Sequence, residues 1–210
     1  QQSGHAHKQH TRPVQKIGMK SVLCKLSISA LAIFIAFFCF TPGKVFANPD
    51  APRLANYYLH WSLTTSEADS LARWDLIILD AENQFKNPDM IKRMRRLNPR
   101  IVILAYVTPQ EIKQDAGAVG SKLRNDLYSK ISGDWYLKNS KGTRLSWWPG
   151  TYLLNVTNNA PVVNGKRFNQ FFSEYTANTI LGSGLWDGIF YDNAWDSITH
   201  FAGSDIDVNG

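Results

Sequence analysis

Acidic, amide and aromatic side chains recur in this sequence directly after short apolar runs. His60 and Trp61 follow RLANYYL at 53–59, Asp80 and Glu82 follow LIIL at 76–79, and Thr108 and Gln110 follow IVILAYV at 101–107, whose next-to-last residue is Tyr106. Asp192, Asn193, Trp195 and Asp196 follow DGIFY at 187–191. If those runs are parallel strands, the residues after them gather on one rim. Converging carboxylates on a rim suit glycosidic cleavage, in which one acts as nucleophile or base and the other is held protonated as the acid.

Asp192 is the leading catalytic candidate. It ends a run too apolar to be exposed, and an amide, an indole and a second carboxylate follow within five residues. Asp80 and Glu82 are the candidates for its partner. Carboxylates at strand ends also cap helices or brace loops, and Glu82 has Lys86 near enough in sequence to pair with it. Asp187 precedes its strand and reads as a cap or turn.

His60, Trp61, Tyr106, Trp147, Trp148, Asn193, Trp195 and Asp196 are the expected substrate contacts. Trp135, Trp147 and Trp148 fall in a polar stretch rather than a periodic one. Exposed rings beside a polar cleft suit the apolar face of a sugar, but rings also pin loops to a core. Trp74 and Trp186 directly precede strands and are expected in the core. The only histidines after residue 47 are His60 and His200, too few for a zinc hydrolase with His-rich strand ends.

The elements needed to hold these groups alternate. The runs at 53–59, 76–79, 101–107 and 187–191 read as strands, the second apolar throughout as in a sheet buried on both faces. Helical patterns lie between them: 66–74 after Thr64 and Thr65 as candidate caps, 88–97 with Pro88 at its first position, 118–130, and 168–181 with Phe172, Tyr175 and Ile180 as its buried stripe. A long aromatic loop is expected at 132–149, and loops of that length are usually functional.

This alternation indicates α/β architecture with a parallel sheet. Four strands make half of an eight-stranded (β/α)8 TIM barrel, which typically takes about 250 residues. The expected fold is therefore such a barrel, truncated after about four βα units. A doubly wound domain would want a Gly-rich turn after the first strand, where His60-Trp61-Ser62 stands instead.

The barrel occupies 48–210 and is preceded by segments of another kind. Residues 1–18 read as an upstream leader, and 19–47 as a signal peptide with a basic start at Met19-Lys20, an uncharged run of 15 residues at 26–40, and Val45-Phe46-Ala47 before the cleavage point. Spanning a bilayer takes about 20 residues, so no stable membrane anchor is expected after cleavage, and the location is secreted or periplasmic. The leader carries six of the 23 basic residues and none of the 17 acidic ones, which leaves 48–210 with no net charge. Nucleic acid is therefore not an expected partner, and Lys92, Arg93, Arg95 and Arg96 read as the solvated face of one helix. Cys24 and Cys39 both lie in the leader, so 48–210 has no disulfide.

Near the end, Asp205, Asp207 and Asn209 take the Asp-x-Asp-x-Asn-Gly form that opens a calcium loop. An ordinary turn has the same composition. Calcium is the one metal this suggests, and no redox cofactor is implied.

The segment 186–197 (WDGIFYDNAWDS) is similar to the strand-and-loop motif of bacterial glycoside hydrolase TIM barrels, most strongly in its core at 187–193, and the stretch 53–111 is similar to the same group. Over about 52–210 the chain resembles hypothetical glycosyl hydrolase family 15 and, more distantly, the endo-α-1,4-polygalactosaminidase barrels. The resemblance implies an eight-stranded barrel, action on an extracellular or periplasmic polysaccharide or oligosaccharide, and Asp192 as a catalytic carboxylate. It leaves the partner carboxylate as Asp80, Glu82 or a residue beyond Gly210. A noncatalytic polysaccharide-binding barrel with the same aromatic rim is the alternative.

Overall fold

The computed structural model describes residues 53–118, 120–194 and 206. The expected leader and signal peptide, Trp195, Asp196, and the calcium candidates Asp205, Asp207 and Asn209 lie outside the described residues.

Four strands, β1 (Ala55–Tyr58), β2 (Leu76–Asp80), β3 (Val102–Val107) and β6 (Gly188–Tyr191), form a parallel sheet in that order. Between them run α1 (Thr65–Leu71), α2 (Asn83–Lys86), α3 (Pro88–Leu97), β4 (Glu111–Lys113), α4 (Lys122–Lys130), β5 (Thr151–Leu153) and α5 (Phe168–Tyr175). The result is a mixed α/β structure whose parallel sheet is compatible with part of a barrel.

Helix starts follow from local chemistry. The Thr64 side chain accepts from the Glu67 backbone N–H at 3.2 Å while Glu67 Oε2 accepts from the Thr64 N–H at 2.7 Å, a reciprocal cap on α1. Pro88 opens α3 where a missing N–H costs nothing. Ser121 caps α4, which starts at Lys122 rather than at 118 as the pattern suggested. The helix expected to run to 181 leaves α-geometry at Tyr175, continues through a π turn at Thr176–Ile180 and stops at Gly184, whose φ of 71° is left-handed.

Period-two alternation divides the sheet into unlike faces. On one face Ile77, Leu79, Ile103 and Ala105 pack against Ala68 and Leu71 of α1 and Ile91 and Met94 of α3, all buried in a single cluster. Each fully buried Ile or Leu here contributes about 1.5–3 kcal/mol. The other face carries Tyr57, Ile78, Leu104, Tyr106 and Phe190. Tyr57 is 49% exposed and meets the Tyr106 and Phe190 rings edge-on at 5.7 and 5.6 Å. Gly188 lies opposite Leu104 in the register, where a Cβ would stand 3.2 Å from Leu104 Cδ2. The helix-covered face supplies the core, and the opposite face leads up to the strand-end carboxylates.

The long excursion between β3 and β6 has structure that sequence periodicity did not reveal. β4 and β5 pair antiparallel, Glu111 opposite Leu153 and Lys113 opposite Thr151. Beneath them lies a second core of Ile112, Trp135, Tyr136, Leu154, Phe168 and Phe172. Of the three loop tryptophans, Trp135 is a pin: it is buried, stacks on Phe171 at 5.1 Å and donates from Nε1 to the Pro161 carbonyl. Trp147 and Trp148 are exposed. Trp186 lies in the core as expected, with its Nε1 donating to Gln84.

Candidate active site

β3 and β6 lie side by side, and their C-terminal ends bring Tyr106 to Asp192. The Tyr106 hydroxyl donates to Asp192 Oδ2 at 2.7 Å, and the Asn193 backbone N–H donates to Asp192 Oδ1 at 2.9 Å. Asp192 is thus held by a donor on each oxygen. Burial, and then the bonded Asp192 carboxylate, push the Tyr106 phenol far above its ordinary range, so it remains a proton donor.

Asn193 reaches a second carboxylate. Its side-chain amide donates to Glu111 Oε1 at 3.4 Å, and the Thr151 hydroxyl donates to Glu111 Oε2 at 3.2 Å. Asn193 makes this bridge with φ at 56°, a left-handed conformation that asparagine tolerates better than most residues. Burial pushes the Glu111 carboxyl above the usual carboxylate range, and the charge on Asp192 pushes the same way. One carboxylate secured by two donors beside another biased toward its neutral form is the division of labour that acid-assisted hydrolysis uses.

Glu111 was not among the expected site residues. It lies one position past Gln110, in a stretch that read as polar loop. Period-two alternation over three residues is too short to announce β4, yet β4 turns Ile112 into the second core and leaves Glu111 on the side of the site. Glu111, Lys113, Arg124, Thr108 and Tyr106 line a cavity of about 190 Å³ between the sheet end and the helices. Glu111 also borders a small cleft with Trp147 and Asn193.

Asp80 lies beside Tyr106 in the β2–β3 register, but its oxygens, like those of Glu82, are engaged by Arg124. Asp80 is 2% exposed and takes both terminal nitrogens of Arg124, at 2.8 and 3.2 Å. Glu82 is fully buried, accepts from the Ser121 hydroxyl and from the Arg124 backbone N–H at 2.9 Å, and has Arg124 Nη1 at 3.5 Å. It therefore closes the N-terminus of α4, where a helix favours negative charge. The expected Lys86 partner is replaced by Arg124, because α2 carries Lys86 onto the surface.

His60 is exposed and stacks on Tyr58, its Nδ1 3.2 Å from the Tyr58 hydroxyl. That hydroxyl donates to Glu67 at 2.5 Å, which raises the Tyr58 phenol to about 12 and lowers Glu67 to about 2. His60 thus faces α1. The Trp61 ring is half-buried and carries three cations: Arg124 Cζ at 4.4 Å, Lys86 Nζ at 5.0 Å and Lys113 Nζ at 5.3 Å from its centre. Trp147 and Trp148 pair at 5.0 Å, with Trp148 53% exposed. The structure therefore brings Tyr106, Asp192 and Asn193 together, sets Asp80 and Glu82 around Arg124, and leaves His60 beside α1.

The profile of a family described as hypothetical glycosyl hydrolase family 15 matches residues 95–210. That span contains Tyr106, Glu111, Asp192 and Asn193. No curated protein matches the chain.

Proposed function

The chain belongs to hypothetical glycosyl hydrolase family 15, and on that premise we propose that it is an exported glycoside hydrolase using Asp192 and Glu111 to cleave O-glycosidic bonds of a polysaccharide or oligosaccharide. The observation that carries the reading is Asn193, which ties the two carboxylates together, with its backbone on one and its side chain on the other.

In the reaction Glu111 gives its proton to the glycosidic oxygen as the bond to the anomeric carbon breaks. Asp192 attacks that carbon, or takes the proton of the water that does. Water ends as the new hydroxyl on one sugar and the proton on the other, so no redox partner is needed. In this scheme the acid is Glu111 rather than Asp80 or Glu82, whose oxygens already hold Arg124 and the start of α4. Trp147 borders the cleft, and with the exposed Trp148 ring beside it offers flat apolar faces to sugar rings.

The fold that accompanies this reading is the (β/α)8 barrel, with the Tyr57–Tyr106–Phe190 face as part of its lumen. The leader expected at 19–47 supports export.

The test is release of reducing ends by the full-length protein from a panel of soluble polysaccharides. Asp192→Asn and Glu111→Gln should each lower turnover by about 10²–10⁴-fold with sugar binding retained. Binding by wild type without cleavage of any glycan would instead establish a noncatalytic polysaccharide-binding protein. The anomer first released then assigns attack by Asp192 itself or by water.

A further inference from the structure

The three cations on Trp61 are more positive charge than the local acids use. Arg124 is engaged by Asp80 and Glu82, both buried. Lys86 and Lys113 lie on the same ring, and among the described residues neither forms an ion pair. Lys122, over the neighbouring Phe85 ring at 4.7 Å, adds a further cation at this edge. Two ammonium groups without ion pairs, held on one half-buried indole, make an anion clamp.

The clamp opens onto the candidate active site. Lys113 and Arg124 touch Trp61 and also line the cavity that contains Glu111. Glu111 and Lys113 are two residues apart on β4, about 7 Å from each other, and both line the cavity. At about 190 Å³ the cavity falls below the roughly 300 Å³ at which drug-sized pockets begin, and so suits one ring rather than several.

We infer that this clamp is a subsite for a carboxylate-bearing sugar, so that the substrate is a uronic-acid-containing saccharide cleaved next to its acidic unit. The inference rests on the glycoside hydrolase reading for the cleavage and on Trp61, Lys86, Lys113 and Arg124 for the charge. The ring sits in the cavity, its carboxylate meets Lys113 with Lys86 next to it on the same indole, and the adjoining glycosidic oxygen falls toward Glu111. Arg124, already committed to Asp80, helps hold the indole in place and contributes less to the ligand.

Binding separates this inference from the catalytic reading. Full-length Glu111→Gln protein, whose turnover should be about 10²–10⁴-fold lower, is titrated with oligogalacturonate, oligoalginate and hyaluronan fragments, each beside its carboxyl-reduced neutral counterpart. At least one acidic oligosaccharide should bind about ten-fold tighter than its neutral form, and added salt should erode the difference. Lys86→Ala and Lys113→Ala should each cost about three-fold, and the pair about ten-fold, with Lys113→Arg restoring most of the affinity. Equal binding of acidic and reduced forms across the panel, or no loss in the double variant, overturns the subsite. Wild-type turnover decides the other question: cleavage of neutral glycans at the rate of acidic ones removes the subsite and keeps the hydrolase. A uronate preference in binding without any cleavage removes the hydrolase and keeps the subsite.

Discussion

Tyr106 and Asp192 close the C-terminal ends of adjacent strands, and the Tyr106 hydroxyl donates to Asp192 Oδ2 at 2.7 Å. The ring beneath that hydroxyl is fixed by Tyr57 and Phe190, at 5.7 and 6.2 Å. An aromatic row on the sheet therefore sets the position of a carboxylate at its edge. The donor is permanent, because the phenol's ionisation is pushed well above its ordinary range.

Tyr106→Phe keeps the packed ring and removes only the donor. A hydrogen bond to a charged group contributes about 1.5–3 kcal/mol, so kcat should fall about 10- to 100-fold. KM should stay close to wild type, while the melting temperature should fall by about 3–12 °C because the bond is present in the resting fold. An unchanged kcat would separate Tyr106 from the chemistry.

Asn193→Gly isolates the bridge. Glycine accepts the left-handed backbone, so the N–H to Asp192 survives while the amide to Glu111 is lost. That amide holds the Glu111 carboxyl down against its burial, so removing it raises the pKa further. An acid must be protonated to act, and activity is lost as pH rises through its pKa. The alkaline limb of the rate profile should move to higher pH in the variant, and a shift to lower pH would contradict the assignment of Glu111.

Legibility divides along physical lines. The strands of the parallel sheet were visible because continuous apolar runs such as LIIL have few other uses, and α1 and α3 because a Thr64-Thr65 cap and Pro88 at a first helical position are local signals. Asp192 was visible because a carboxylate directly after such a run needs an explanation. Glu111 was hidden: its role depends on pairing with β5 some 40 residues later, and nothing local marks a three-residue strand. Arg124 was hidden likewise, for the partners that define it, Asp80 and Glu82, lie more than 40 residues earlier. Trp135, Trp147 and Trp148 shared one composition and two environments, which only long-range packing could separate.

Arg124→Ala leaves two buried carboxylates without their cation. Breaking a buried ion pair from one side costs about 3–5 kcal/mol, a large share of a domain's stability. Denaturant unfolding at neutral pH should give an unfolding free energy lower by that amount, with Lys122→Ala beside it as an exposed control that changes little. If Arg124→Ala unfolds with the wild-type midpoint, Asp80 and Glu82 are not held by this contact and return as candidates for catalysis.

Glu111→Gln should stabilise the fold, and the gain should depend on pH. A carboxyl whose folded pKa lies above its unfolded value favours folding below the unfolded value, near 4.3 for glutamate. That contribution is lost as pH rises through the folded value, because the folded protein then holds a charge that burial disfavours. The amide carries no such penalty at any pH. The melting temperature of the variant minus that of wild type should be smallest below about pH 4, rise as pH climbs through the raised pKa of Glu111, and level off above it. A difference that stays flat across this range would mean that Glu111 ionises in the folded protein as freely as in water, and the proton donor would then have to be sought elsewhere.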